Sequence, residues 1–306
     1  MVHAVRNGKF LDITPIDRWD YLTLEALFKE YWKAPKKLVH HWRMEKAVLV
    51  NGNAASWTLP FGERSTISIP VFKEEPLEIA VFNSYIEVLF EDDHLLIVNK
   101  PSGMDTHPAN PSEKNTLLNA VAGYITANGA HYGLKHIHRL DKDTTGAVLF
   151  AKHPFAGSLL DRMLEERKIN RTYLAIVHGL LKRDIGTIHE KIGRDRHHAS
   201  RRRVSPSGQP AITHYAVLKR MKDKNLTLIK CTLETGRTHQ IRVHLSHIGH
   251  PLAGDELYFG KPAFPRQALH AAKIQFHHPI TGQIIECLAA PLDKPPIFHL
   301  DDMKFL

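Results

Sequence analysis

The apolar runs of this 306-residue chain are short, strand-like and unevenly spaced, and that arrangement restricts its fold more than any other feature. Val88–Phe90, Leu95–Val98, Ala147–Lys152, Arg171–His178 and Leu226–Leu233 read as strands, being short, rich in apolar residues and bounded by turn residues. Helical periodicity is confined to residues 115–127, 154–168 and 239–248 in this part of the chain. In the last of these, Ile241, Leu245 and Ile248 recur at offsets of four and three, with Arg242 on another face. Strands and helices in this order do not alternate as β-α-β units, so the pattern predicts an α+β sheet domain.

Upstream of residue 86 the rhythm differs. The first twenty residues lack a period, and residues 1–11 read as an N-terminal arm. Leu24, Leu27, Phe28 and Tyr31 then fall at helical spacing, and Pro35 marks a break and a new helix start. That second helix carries Lys36, Lys37 and Arg43 around its apolar face. Ala47–Val50 followed by Asn51-Gly52 reads as strand and tight turn, with another strand near Ser65–Pro70. Residues 12–70 therefore form a small unit, 71–85 a linker around Lys73-Glu74-Glu75-Pro76, and 86–306 the main domain.

Composition excludes several classes. Only two cysteines occur, Cys231 and Cys287, which rules out a disulfide framework and a cysteine-rich zinc site. The chain shows neither a secretory leader nor an apolar run long enough to span a bilayer, so a cytoplasmic protein without membrane contact is expected. The 41 Lys and Arg against 32 Asp and Glu leave a formal charge of +9, pointing toward a polyanionic partner. Neither of the glycine-rich phosphate-loop patterns is present.

Three clusters could carry chemistry. His138-Arg139-Leu140-Asp141-Lys142-Asp143-Thr144-Thr145-Gly146 precedes an apolar strand. Flanking cations there would keep an aspartate ionised, while the same residues would equally serve an Asx-type turn. Glu234 to His244 places Arg237 and Arg242 five apart, suited to carboxylate or phosphate, or simply to a solvated helix face. Arg194, Arg196, Arg201, Arg202 and Arg203 set five arginines within ten residues, a phosphate-binding signal with a solvated loop as the alternative. His239 and His244 lie five apart without an acidic ligand, so no metal is expected.

Taken together, HRLDKDTTG, VNKPSGMDTHP, RTYLAIVHG, TGRTHQIRVHLSHIGHPLAGDELY and LHAAKIQFHHPITG resemble the RluA-type RNA pseudouridine synthases, across a span from about Val88 to Pro291. The N-terminal unit is similar to the small RNA-binding module that often precedes that catalytic domain. The resemblance implies a mixed, mainly antiparallel sheet flanked by helices and loops. It also implies isomerisation of uridine in ribosomal or transfer RNA, by a monomer without cofactor or metal.

By the same resemblance, Asp141 is the catalytic aspartate, Arg242 its ion-pair partner and Tyr173 the aromatic wall against the base. Arg139 fills the place of the flipped nucleotide, and His138, Arg237, Arg201, Arg202, Arg203, Lys36, Lys37 and Arg43 contact RNA. An ionised carboxylate suits this role either as nucleophile or as base at the sugar. The chain departs from the family pattern at Thr145, usually Ser, at Gln209, commonly Lys, and at Thr23-Leu24-Glu25 and Ala34–Lys37 of a divergent N-terminal module.

Overall fold

A computed structural model describes residues 3–14, 19, 22–62, 64–73, 77–129 and 133–306. Strands β1 (His3–Asn7) and β2 (Phe10–Thr14) open the chain. A one-turn helix α1 (Leu24–Ala26) runs into a π-helical turn at Leu27–Tyr31, and α2 (Lys36–Met44) follows. Then come β3 (Leu49–Val50), β4 (Asn53–Ala54) and β5 (Ile67–Ile69). These strands form one antiparallel sheet in the order β1-β2-β5-β3-β4.

The expected arm is therefore corrected: residues 3–14 form a hairpin turning at Gly8 and Lys9, and residues 1 and 2 lie outside the described set. Leu11 and Ile13, on either side of Asp12, are fully buried, a period-two signal too short to stand out beside Phe10. All four tryptophans of the chain, at 19, 32, 42 and 57, pack in this unit with Phe28.

The second sheet is built from β6 (Glu87–Glu91), β7 (Leu95–Lys100), β8 (Lys135–His136), β9 (Thr145–Ala151) and β10 (Asn170–His178). It continues with β11 (Ile185–His189), and β12 (Ile192–Arg194) and β13 (Arg202–Val204) pair apart as a two-stranded ribbon. Strands β14 (Ile212–Met221), β15 (Leu226–Leu233), β16 (Leu269–His277) and β17 (Ile284–Leu288) complete it. The order is β11-β14-β15-β10-β16-β9-β7-β6, with β17 on β16 and β8 on β9. Among the described residues every pairing in this sheet is antiparallel except β9 with β16.

Helices α3 (Leu117–Ala127) and α4 (Pro154–Glu165) cover opposite faces. Leu96, Val98, Val148 and Phe150 pack with α3, whereas Leu95, Ile97, Ala147 and Leu149 pack with α4. Burial on both faces explains why β7 and β9 read as unbroken apolar runs. Phe155 of α4 inserts among Phe28, Trp32 and Trp42, and Arg162 donates to the carbonyls of Trp32 and Lys33, so the two sheets share a core. Val71 and Phe72 of the expected linker belong to that core, while its Glu74–Pro76 lie outside the described residues.

The junction also buries histidines. His94 Nδ1 lies 2.9 Å from His153 Nε2, and Phe72 packs on both rings. His153 Nδ1 accepts the N–H of Ala156 as the cap of α4. Burial pushes His94 down to about 4 and His153 well below its ordinary value. Between pH ~6.5 and ~4 the unfolded chain therefore binds protons that the folded one excludes, and stability must fall with pH across that window. Thermal midpoints measured across it are expected to fall toward acid, with a shallower slope in His94→Phe; a flat profile contradicts the assignment.

The parallel contact of β9 with β16 is short, pairing Thr145 with His270 and Gly146 with Ala271. Gly146 has φ +114°, and a Cβ there would sit 2.2 Å from the Ala271 carbonyl oxygen. Gly146→Ala should cost about 2–4 kcal/mol in urea unfolding; an unchanged midpoint would refute this close approach.

Candidate active site

Asp141 sits in the loop between β8 and β9, and residues 140–145 are fastened along their length. Thr106 Oγ1 donates to the Leu140 carbonyl and accepts its N–H. Lys100 Nζ donates to the carbonyls of Lys142, Pro101 and Met104 at 2.7, 2.9 and 2.6 Å. Those three acceptors match the three N–H groups of a buried ammonium. Burial pushes Lys100 down to about 7 against the pull of Asp143 and Asp105. The Asp143 carboxylate accepts from Gly103 N–H, while Arg266 donates to the Asp143 carbonyl and to Thr145 Oγ1. Thr145 Oγ1 also lies 2.8 Å from His270 Nδ1.

The loop does contain a turn, Thr144 N–H to the Asp141 carbonyl at 3.0 Å. The Asp141 carboxylate, however, is engaged elsewhere. Oδ2 accepts from Arg242 Nη1 at 3.0 Å, across 101 positions of sequence. Arg242 projects from α5 (Gln240–His247) and is 7 % exposed. Its Nε and Nη2 grip both oxygens of Asp255, at 2.7 and 2.8 Å, and the Tyr258 ring lies 4.9 Å from its Cζ. Burial alone disfavours the guanidinium charge, but Asp255 and then Asp141 raise its pKa above the ordinary value.

Tyr173 lies on β10, 4 % exposed, beside a register shift between Thr172 and Tyr173. Burial raises its phenol pKa, with the Arg171 guanidinium opposing. A cavity of about 560 Å³ is lined by Asp141, Tyr173 and Arg242 together with Leu140, Leu233 and Leu269. Its volume falls in the range that takes a small organic ligand. One carboxylate, one guanidinium and one aromatic wall thus face a single pocket from three separate elements.

The other sequence candidates divide. Arg139 and Arg237 line the same pocket and are exposed; Arg237 Nε donates to the Pro210 carbonyl. His138, expected to contact RNA, lines the pocket as well, but is 6 % exposed, and its Nε2 accepts the Leu149 N–H, tying the loop to β9. Arg201, Arg202 and Arg203 lie on and beside β13, next to α5. Of these Arg203 is exposed, Arg201 pairs with Asp195 at 2.7 Å, and Arg202 is half-buried. Lys36, Lys37 and Arg43 form a basic face on α2, outside this pocket.

Two contributors, Asp255 and Tyr258, were not singled out from sequence although they fall within the GDELY block; His239, within TGRTHQ, was weighed there only as a metal ligand. The Tyr258 hydroxyl accepts the Arg202 N–H at 2.9 Å and lies 2.8 Å from His239 Nδ1. The other ring nitrogen of His239, Nε2, lies 3.8 Å from Asp141 Oδ1. Burial lowers the His239 pKa against the pull of Asp141, keeping the ring neutral. Gln240 locks the helix start, donating to the Ile212 carbonyl and accepting from Thr235 Oγ1 and Arg237 N–H.

The chain is similar to known proteins along most of its length. The sequence pattern described as RNA pseudouridylate synthase matches residues 94–247, and that of the RluD ribosomal pseudouridine synthase N-terminal domain matches 11–67. The chain is 42 % identical to the uncharacterized RNA pseudouridine synthase YhcT of Bacillus subtilis over 92 % of its own length and 93 % of that protein's. It is 38 % identical to ribosomal large subunit pseudouridine synthase D of Haemophilus ducreyi, covering 92 % of this chain and 89 % of the relative. Human RNA pseudouridylate synthase domain containing 1 shares the fold, with TM-score 0.58 and 24 % identity over 73 % of this chain and 95 % of that one.

The double carboxylate grip on Arg242 has a measurable consequence. Asp255→Asn removes the charge that orients the guanidinium and should lower kcat about 100-fold with KM for RNA within about threefold. An unchanged kcat would remove Asp255 from the reacting centre.

Proposed function

The chain belongs to the RNA pseudouridylate synthase family, and from that premise we propose that it isomerises uridine in large-subunit ribosomal RNA through Asp141. The reaction breaks the bond from N1 of uracil to C1′ of the ribose, turns the base and joins C5 to C1′. A proton leaves C5 and one is gained at N1, so atoms balance within the nucleotide. Nothing is consumed.

The observation that carries the residue assignment is the placement of Asp141. One oxygen is held by Arg242 while the carboxylate remains partly open to the pocket, 20 % exposed. A fixed ion pair keeps a carboxylate aimed, as action at C1′ or at the 2′ position requires. Tyr173, Leu140, Leu233 and Leu269 supply an apolar wall against which the detached base turns without exchanging with water. The target must leave its stack to enter, at a cost of a few kcal/mol, and Arg139, in the pocket lining, fills the gap in this reading.

The ribosomal substrate is supported by the relatives named for the large subunit and by the N-terminal match. Lys36, Lys37 and Arg43 give α2 a face suited to phosphate, and the β12–β13 ribbon gives a second basic strip. Pseudouridines in large-subunit RNA are to be mapped in a deletion strain carrying either the wild-type gene or Asp141→Asn. The expected result is a site restored by wild type and absent with the variant. Retention of every pseudouridine in the deletion strain would overturn the proposal.

A further inference from the structure

Phe259 occupies a position where a bulky side chain is costly. It follows the 3₁₀ turn Glu256–Tyr258 with φ +69° and ψ +16°, the left-handed conformation in which glycine is the least strained residue. Its ring is nevertheless 72 % exposed, so packing in the chain does not compensate for the strain. A single exposed apolar residue is ordinary; one held on a strained backbone is not.

The surroundings are selective. The Arg201 guanidinium lies over the Phe259 ring, 5.3 Å from its centroid, and is itself fixed by Asp195. Arg194, Arg196 and Arg203 stand exposed on the same ribbon segment. The preceding residue, Tyr258, is buried, with its ring against Arg242 and its hydroxyl on His239 and Arg202. Two successive aromatic rings thus serve different places: one buttresses the reacting centre, the other stands outside it among arginines.

We propose that Phe259 and Arg201 form a stacking platform for an unpaired RNA base close to the target uridine. An exposed ring capped by a guanidinium and bordered by phosphate-binding arginines is the chemistry that holds a single-stranded nucleotide without reading its identity. The platform rests on the reading that the chain acts on RNA. Its direct link to Tyr258 sets the neighbour's position relative to Asp141, so the platform holds the strand in register while the target is extruded.

The test uses the full chain and a stem-loop RNA with unpaired uridines in its loop, beside a fully paired duplex of the same length. Phe259→Gly removes the ring and relieves the backbone, so its thermal midpoint should equal or exceed that of wild type. Loop binding should weaken roughly 5- to 100-fold, the range of one lost base–aromatic stack, with duplex binding within about twofold and the salt slope unchanged. Phe259→Trp should retain loop affinity and show indole quenching on addition of the stem-loop. Loop affinity of Phe259→Gly within about twofold of wild type, or an indole in Phe259→Trp that the stem-loop leaves unquenched, would overturn the platform. Because the readout is binding, absence of isomerisation by the wild-type chain would count against the function above and leave these arms to decide the platform.

Discussion

Arg242 is a buried cation between two carboxylates, and the working geometry of the pocket depends on how unequally they share it. Asp255 takes two hydrogen bonds in a bidentate grip, whereas Asp141 takes one. Removing a guanidinium from water is costly unless its charge is met, and Asp255, itself buried, meets it. Asp141 is therefore not needed to neutralise the arginine alone. It is oriented by a cation already fixed in place, while its carboxylate stays partly open to the pocket.

That asymmetry has meaning only because the loop bearing Asp141 cannot drift. Thr106, Lys100, Arg266 and the Gly103 N–H each hold a neighbouring position, and Gly146 allows β9 to approach β16 closely enough to end the loop there. On the other side, Gln240 and His244 bind α5 to β14 through Thr213. Many of the polar residues in both motifs are thus scaffolding. The Asp141 carboxylate and the Arg242 guanidinium meet at the pocket that this scaffolding frames.

Much of this was readable in the chain and some was not. The α+β class and strands β7, β9, β10 and β15 were legible because their apolar runs are largely buried. The β1–β2 hairpin was not, because only Leu11 and Ile13 mark its inner face. Asp141, Tyr173 and Arg242 lie on separate elements, and no local periodicity brings them together; only the ordered motifs did. Asp255 and Tyr258 stood within a matched block, but a carboxylate in a turn shows no partner from sequence alone. The burial of His138 was equally hidden, because adjacency to the exposed Arg139 says nothing about which side of the backbone its ring takes.

The central claim is tested most directly by release of tritium from carbon 5 of uridine. That hydrogen must leave when C5 replaces N1 at the ribose, and binding alone leaves it in place. Purified protein should release tritium from labelled large-subunit RNA, and Asp141→Asn should release none above background while still binding that RNA. Release by Asp141→Asn at the wild-type rate would contradict the claim that this carboxylate performs the reaction.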